Sequence, residues 1–148
     1  MNYAQICEQT RELVLKAAEF IKGELPKMST DKIEIKGVHE YVTYVDKGAE
    51  KILVEGLAEI LPESGFIAEE GTSTKIGNKY NWIIDPLDGT TNFIHGLSPY
   101  SISIGLKEDD EIVVGVIYEL SLQECFTHGK GVKPILTEKK YMFRMQRN

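Results

Sequence analysis

The sequence predicts an α/β fold in which amphipathic helices precede a series of short strands. The N-terminal part repeats apolar residues with a helical period, whereas the later part forms short apolar runs or alternates apolar with polar residues. With 148 residues, of which 42% are hydrophobic, the chain is long enough to bury the core of one soluble domain.

Two helices are predicted from apolar residues that share one helical face. In the first helix these residues are Ile6, Leu13, Val14, Ala17, Ala18 and Ile21. In the second helix they are Val45, Ala49, Ile52, Leu53, Leu57 and Ile60. Gly23 and Pro26 predict the end of the first helix, and Pro62 predicts the end of the second. Asp46 then falls in the first turn of the second helix, where a carboxylate interacts favourably with the helix dipole. Between the two helices, Lys32 to Lys36 are expected to form a short strand that leads into a mobile loop.

Strands are predicted at several apolar segments. The run from Trp82 to Ile84 is expected to stop at Asp85-Pro86, because proline cannot donate to a sheet ladder. The run from Phe66 to Ala68 likewise leads into two carboxylates. A third strand is indicated by alternating apolar residues, namely Tyr100, Ile102, Ile104 and Leu106. The acidic sequence at 108–111 predicts a solvated hairpin turn before a strand from Ile112 to Leu120.

Composition excludes several classes of partner. The net charge of −6 argues against nucleic acid and against anionic membranes, so an anionic substrate would have to be recruited by metal. Cys7 and Cys125 lack CxxC spacing and are expected to be buried thiols. The three histidines are scattered and are assigned no catalytic role. With neither a signal pattern nor an apolar run of membrane length, cytoplasmic localisation is expected.

The segment after Trp82-Ile83-Ile84 combines acidic and anion-binding features. Asp85 and Asp88 are spaced closely enough to meet around hard cations, which also accept backbone carbonyl ligands such as that of Leu87. Gly89 permits close backbone approach, and the residues at 90–92, Thr-Thr-Asn, are suited to the start of a helix that attracts an anion. Taken alone, Asp-Pro and Asp-Gly pairs are also ordinary turn sequences.

Two motifs together resemble the signature of the inositol monophosphatase family of magnesium-dependent, lithium-sensitive phosphatases. They are Ile67-Ala68-Glu69-Glu70 and the longer run from Trp82 to Phe93, Trp-Ile-Ile-Asp-Pro-Leu-Asp-Gly-Thr-Thr-Asn-Phe. The similarity extends upstream through Lys36 and the run from Tyr41 to Asp46, and in all it covers residues from the N-terminus to about Gly131. It implies the N-terminal portion of the layered α+β fold of these sugar phosphatases, with helices packed on a mainly antiparallel sheet.

The resemblance also implies a role for each matching residue. Glu69, Asp85 and the Leu87 carbonyl would hold a first Mg²⁺, and Asp85 and Asp88 would contribute to a second. The amides of Gly89 and Thr90 would hold the phosphate, so that the substrate-binding residues are Glu69, Leu87, Asp88, Gly89 and Thr90. Thr90, oriented by Asp46, would activate the attacking water, and Lys36 would lie on a loop near the ions. The implied partner is a small phosphorylated substrate, and a homodimer is possible.

The chain departs from the family pattern after Gly131. It has a little over half the usual length, so that a later Trp-Asp motif, which supplies another ligand of the second ion, is absent. From Gly131 on, the family pattern can be restored by back-translating the sequence and reading it in the frame that starts at the third base of each codon. A frameshift is therefore predicted, with a domain at 1–131 followed by a non-native tail at 132–148. The predicted function is hydrolysis of inositol monophosphate or a similar sugar phosphate. Alternatives are an inactive fragment or metal-binding module and, within the family, a nucleotide bisphosphate or fructose bisphosphate phosphatase.

Overall fold

A computed structural model of the chain describes residues 1–28, 35–68, 70–97 and 99–138. Two long helices come first, and six strands follow, with a short helix between the second and third strands. The elements are α1 (Tyr3–Met28), α2 (Ile35–Ile60), β1 (Gly65–Ala68), β2 (Tyr80–Asp88), α3 (Thr90–Ile94), β3 (Ser101–Glu108), β4 (Glu111–Glu119), β5 (Glu124–Gly129) and β6 (Val132–Glu138).

The six strands form one sheet in the order of the sequence, from β1 to β6. β1 and β2 are parallel, and every later pair of neighbours is antiparallel. The predicted acidic hairpin connects β3 to β4, where Asp109 has a positive φ of 53°. The predicted layered fold with a mainly antiparallel sheet is therefore confirmed.

The hydrophobic core lies between the two long helices and one face of the sheet. α1 contacts β4 and β5, whereas α2 contacts β1 and β2. Val14 and Leu53 from the helices and Trp82, Ile102 and Val116 from the sheet are all fully buried. This packing holds α2 directly behind the strands that carry the two acidic motifs.

The opposite face of the sheet carries exposed apolar side chains. Ile117 on β4 pairs with Phe126 on β5, which pairs with Leu136 on β6, and all three are about half exposed. Within the described residues, therefore, the two long helices cover only one face of this sheet.

The end of α1 differs from the prediction. The helix continues past Gly23 and Pro26 to Met28. Proline removes one backbone hydrogen bond from a helix, but a tertiary contact supports this turn. The Tyr41 hydroxyl on α2 contacts the carboxylate of Glu24 and also lies 3.2 Å from the Glu24 carbonyl oxygen. Packing between helices therefore outweighs the local stop signals.

The beginning of α2 also differs from the prediction, and this changes the position of Asp46. The helix starts at Ile35, so Ile35 and Lys36 belong to it rather than to a strand or loop. Asp46 consequently lies in the middle of α2 and not in its first turn. The added turns are stabilised because Val42 is buried, as is Val45 further along the same face.

β2 does not stop at Asp85-Pro86 as predicted but continues to Asp88. The pairing with β3 shifts register between Asp85 and Asp88, whereas the pairing with β1 ends at Ile84. Proline is tolerated at a bulge where no neighbouring strand needs its N–H. The strand therefore carries both acids to the edge of the sheet.

Both cysteines are free and buried, as predicted. No helix among the described residues is sufficiently long and apolar to span a membrane.

β6 falls within the segment predicted to be a non-native tail. Val132–Glu138 pairs with β5 as an outer strand, and Pro134, Ile135 and Leu136 on it are all exposed. The strand thus buries little apolar surface, and the origin of the tail stays a prediction.

Candidate metal and phosphate site

The two acids of the longer motif lie at the end of β2. Trp82 and Ile84 face the core, and Ile83 between them is exposed, as expected for a strand with one buried face. The bulge breaks this alternation, because Pro86 and Leu87 are both buried although they are consecutive. Asp85 is half-buried before them and Asp88 is exposed after them. The bulge thus directs two carboxylates away from the core on either side of an apolar dipeptide.

The backbone of Leu87 is held from both sides. Its amide donates to Oδ1 of Asp85 at 3.3 Å, and its carbonyl oxygen accepts a hydrogen bond from the Thr90 hydroxyl, also at 3.3 Å. Both contacts are between neighbours in sequence, so they close a compact turn. The turn brings the Leu87 carbonyl and the Thr90 side chain together with the Asp85 carboxylate.

Gly89 is required where the turn becomes α3. It precedes the helix with φ 86° and ψ 38°, in the left-handed region. A Cβ at this position would lie 2.5 Å from the carbonyl oxygen of Pro99. The same oxygen accepts a hydrogen bond of 2.9 Å from the Asn92 side chain, and Phe93 is fully buried against the Tyr100 ring. These contacts, rather than a hydrogen bond from a capping side chain, fix the backbone at the start of α3.

The middle of α2 supplies two more carboxylates. Oδ1 of Asp46 is buried, and Glu50, one turn later, is fully buried. The Glu50 carboxylate accepts hydrogen bonds from the amides of Glu70 at 2.8 Å and Thr72 at 3.0 Å. Sequence reasoning missed Glu50. Its signal is an acid spaced as a core residue, on the same helical face as Asp46 and Leu53.

The helix that carries Asp46 packs against the elements that carry the other predicted site residues, but the assignment of these residues to one site stays a prediction. α2, which carries Asp46, contacts β1 and β2 and also touches α3, which begins at Thr90. Glu69, a predicted ligand, lies outside the described residues. Among residues 1–28, 35–68, 70–97 and 99–138, no three or more His, Cys, Asp or Glu side chains form a group that could hold a metal ion. Of the predicted metal ligands, the structure describes Asp85, the Leu87 carbonyl and Asp88.

The start of β3, the strand that follows α3, is anchored by the carboxylate of Glu119, which lies opposite Ser101 at the end of β4. Glu119 accepts hydrogen bonds from the Tyr100 amide at 3.0 Å and from the Ser121 hydroxyl at 2.6 Å. Burial alone would raise the pKa of Glu119, but the bonds from Ser121 and from the amides of Leu122 and Tyr100 outweigh it, and the net pKa is lowered. Glu119 therefore holds the start of β3 through its charged form.

Two grooves on the described surface lie away from the two acids. One of about 360 Å³ lies between α1 and α2 and is lined by residues that include Leu13, Lys16, Gly56 and Glu59. The oxygen donors of β2 lie instead at an open strand end. The candidate site is therefore identified by its oxygen donors and not by the size of a cavity.

Comparison with known proteins decides the family. A sequence model of the inositol monophosphatase family matches residues 2–148. The chain belongs to the inositol monophosphatase family. The resemblance recognised in the two acidic motifs is therefore confirmed.

Members of the inositol monophosphatase family resemble the chain in sequence and in structure. An inositol-1-monophosphatase from Rhizobium meliloti (strain 1021) is 34% identical over 130 residues, which cover 87% of this chain and 49% of the relative. A fructose-1,6-bisphosphatase/inositol-1-monophosphatase from Aquifex aeolicus (strain VF5) is 30% identical over 139 residues, covering 94% of this chain and 53% of the relative. The solved structure of an inositol monophosphatase from Zymomonas mobilis superposes with a TM-score of 0.77 at 28% identity, covering 93% of this chain and 52% of that one. The chain spans about half the length of the curated relatives it matches.

Proposed function

We propose that the chain is part of a metal-dependent phosphomonoesterase that hydrolyses inositol monophosphate or a similar small sugar phosphate with a water nucleophile. The observation that carries this proposal is the turn at the end of β2. There, in a member of this family, the Leu87 amide donates to the Asp85 carboxylate and the Leu87 carbonyl accepts from the Thr90 hydroxyl.

The donor set fits a hard cation. Carboxylate and carbonyl oxygens are the ligands that Mg²⁺ accepts, and the exposed Asp88 leaves room for the waters that this ion retains. Glu69, Asp85 and the Leu87 carbonyl are proposed to hold one Mg²⁺, while Asp85 and Asp88 contribute to a second. When bound, such ions stabilise negative charge on the transferring phosphoryl group and on the leaving oxygen.

The protein's own groups orient the phosphate and the water. The amides of Gly89 and Thr90 head α3, where the first N–H groups of a helix lack partners within it and can bind an anion. The Thr90 hydroxyl donates its proton to the Leu87 carbonyl, so its oxygen lone pairs are directed elsewhere and can accept a hydrogen bond from water. Asp46 lies on α2, the helix behind β2 that also touches α3. It is proposed to orient Thr90 by accepting the hydroxyl hydrogen bond in place of the Leu87 carbonyl, once that carbonyl oxygen is engaged as a metal ligand.

The substrate class rests on the relatives. One carries the name inositol-1-monophosphatase, and another carries a name that joins this activity to fructose-1,6-bisphosphatase. Inositol monophosphate is therefore the proposed substrate, and fructose bisphosphate is the second candidate. Sensitivity to Li⁺, cytoplasmic localisation and a homodimer are proposed with it.

A non-catalytic metal-binding module is the other class of function that these residues support. It has the same oxygen donors but no turnover. Metal titration and phosphate release, measured on one preparation, separate the two classes.

Isothermal calorimetry with Mn²⁺ tests the metal assignment, and phosphate release with Mg²⁺ and inositol monophosphate tests the activity. Asp85→Asn should weaken Mn²⁺ binding at least about tenfold, on the order of 1.4 kcal/mol, because Asp85 serves both ions. Asp110→Asn is the matched control, since Asp110 is a fully exposed acid in the β3–β4 turn. Equal Mn²⁺ affinities of the wild type and folded Asp85→Asn would contradict the assignment. Metal binding without phosphate release would favour the module.

A further inference from the structure

Glu50 is a fully buried carboxylate that the proposed chemistry does not use. It lies on α2, but both of its hydrogen bonds reach the connection between β1 and β2. Oε2 accepts from the Glu70 amide at 2.8 Å, and Oε1 accepts from the Thr72 amide at 3.0 Å. Each carboxylate oxygen therefore holds one backbone N–H of the same short segment.

Burying a carboxylate is unfavourable unless hydrogen bonds compensate it, and two charge-assisted bonds from amides meet that requirement. The segment they hold is otherwise a surface connection between two parallel strands. Its remaining ties include the Gly71 amide donating to the Ala68 carbonyl at 3.1 Å and the Phe66 amide donating to the Lys75 carbonyl at 2.8 Å. Glu50 thus supplies a fixed point deep in the core for a segment that is mostly exposed.

The segment held by Glu50 begins directly after Glu69 in sequence. Asp46, in turn, lies one turn before Glu50 on the same helix. One buried side chain therefore connects the helix of Asp46 to the chain that carries the proposed ligand Glu69. No other described side chain is recorded as bonding to the amides of Glu70 and Thr72.

We propose that Glu50 is a positioning residue, which fixes the Glu69 segment against α2 and so preorganises the metal site. This inference rests on the proposed function, because it assigns Glu69 to the metal. Outer partners that orient metal ligands typically contribute about 10–100-fold to metal affinity. Glu50 should act on binding in this way without contacting the ion.

Two variants remove the anchor in different ways. Glu50→Gln keeps the side-chain volume but turns an NH₂ donor toward one of the two amides. Thr72→Pro removes the N–H that reaches Oε1, in an exposed residue where misfolding is less of a risk. Thr72→Ala keeps that N–H and is the matched control. Leu57→Ala is a second control, because it opens a cavity on α2, about two turns from Glu50 and three from Asp46, and leaves the Glu50 carboxylate and both bonded amides unchanged.

The readouts are Mn²⁺ affinity by calorimetry and amide hydrogen exchange at Glu70 and Thr72 in the metal-free chain. Glu50→Gln should speed exchange at both amides and weaken Mn²⁺ binding at least tenfold, and Thr72→Pro should speed exchange at Glu70 with the same loss of affinity. Thr72→Ala should match the wild type in both, and Leu57→Ala should lower stability without a comparable loss of affinity.

Unchanged exchange at Glu70 in both anchor variants would overturn the proposal. So would wild-type Mn²⁺ affinity in folded Glu50→Gln. Failure of the proposed function is recognised separately, since the wild-type chain would then bind no Mn²⁺ or Asp85→Asn would bind it normally. In that event, amide hydrogen exchange at Glu70 and Thr72 alone tests whether Glu50 anchors the segment.

Discussion

Replacing Gly89 with alanine should damage the turn between β2 and α3 for two separable reasons. At φ 86° a residue with a Cβ is in the left-handed region, which costs about 1–2 kcal/mol. The new Cβ would also lie 2.5 Å from the Pro99 carbonyl oxygen and 3.2 Å from the Tyr100 Cα. Both are backbone atoms that cannot rotate away, and overpacking of this kind costs about 1–3 kcal/mol more. The expected loss of unfolding free energy is therefore about 2–5 kcal/mol.

Gly96→Ala is the matched control for this prediction. Gly96 has a similar φ of 67° and lies just after the same short helix, but a Cβ there would have nothing within 4 Å. It should lose only the conformational part, about 1–2 kcal/mol. Urea denaturation of the wild type and both variants measures the difference. Equal destabilisation by the two substitutions would refute the argument that Pro99 restricts this turn to glycine.

The remaining predictions concern stability and the coding sequence. Ser64→Ala should cost about 1–3 kcal/mol, because the buried Trp82 indole N–H would lose its acceptor at 3.0 Å; a urea midpoint equal to that of the wild type would contradict this. The lowered pKa of Glu119 contributes stability that is present above about pH 4.3 and is lost as the pH falls through the folded-state pKa. Glu119→Gln should therefore be less stable at pH 7 and less sensitive to acid below pH 4.3, and parallel stability curves against pH would show that the charge is irrelevant. If the frame changes near Gly131, genomic DNA read in the alternative frame should encode a Trp-Asp motif downstream, and an immediate stop in that frame would exclude it.

The sequence was most informative where one motif carries its own structural context. Trp82 to Ile84 was predicted as a strand and is one, and the short helix after Gly89 was predicted from the residues that follow it. These features depend on neighbours in the chain, namely an apolar run and a glycine that permits a left-handed turn. Local physics therefore suffices to predict them.

Helix boundaries were less predictable, for a different reason. Gly23 and Pro26 predict that α1 ends too early, and the apolar repeat predicts that α2 starts about ten residues too late. These local signals are weak compared with the contact of Tyr41 with Glu24 and the burial of Val42. This error placed Asp46 at a helix start, although it lies in the middle of α2.

By itself, the sequence determined the family, the motif that carries Asp85 and Asp88, and the glycine turn before Thr90, since each is written in consecutive residues. Only the tertiary structure decided that α2 lies behind this strand and that Glu50 is buried there with its carboxylate on the amides of Glu70 and Thr72. The physical reason is that a hydrogen bond across 20 residues depends on how a helix packs on a sheet, which no local pattern encodes.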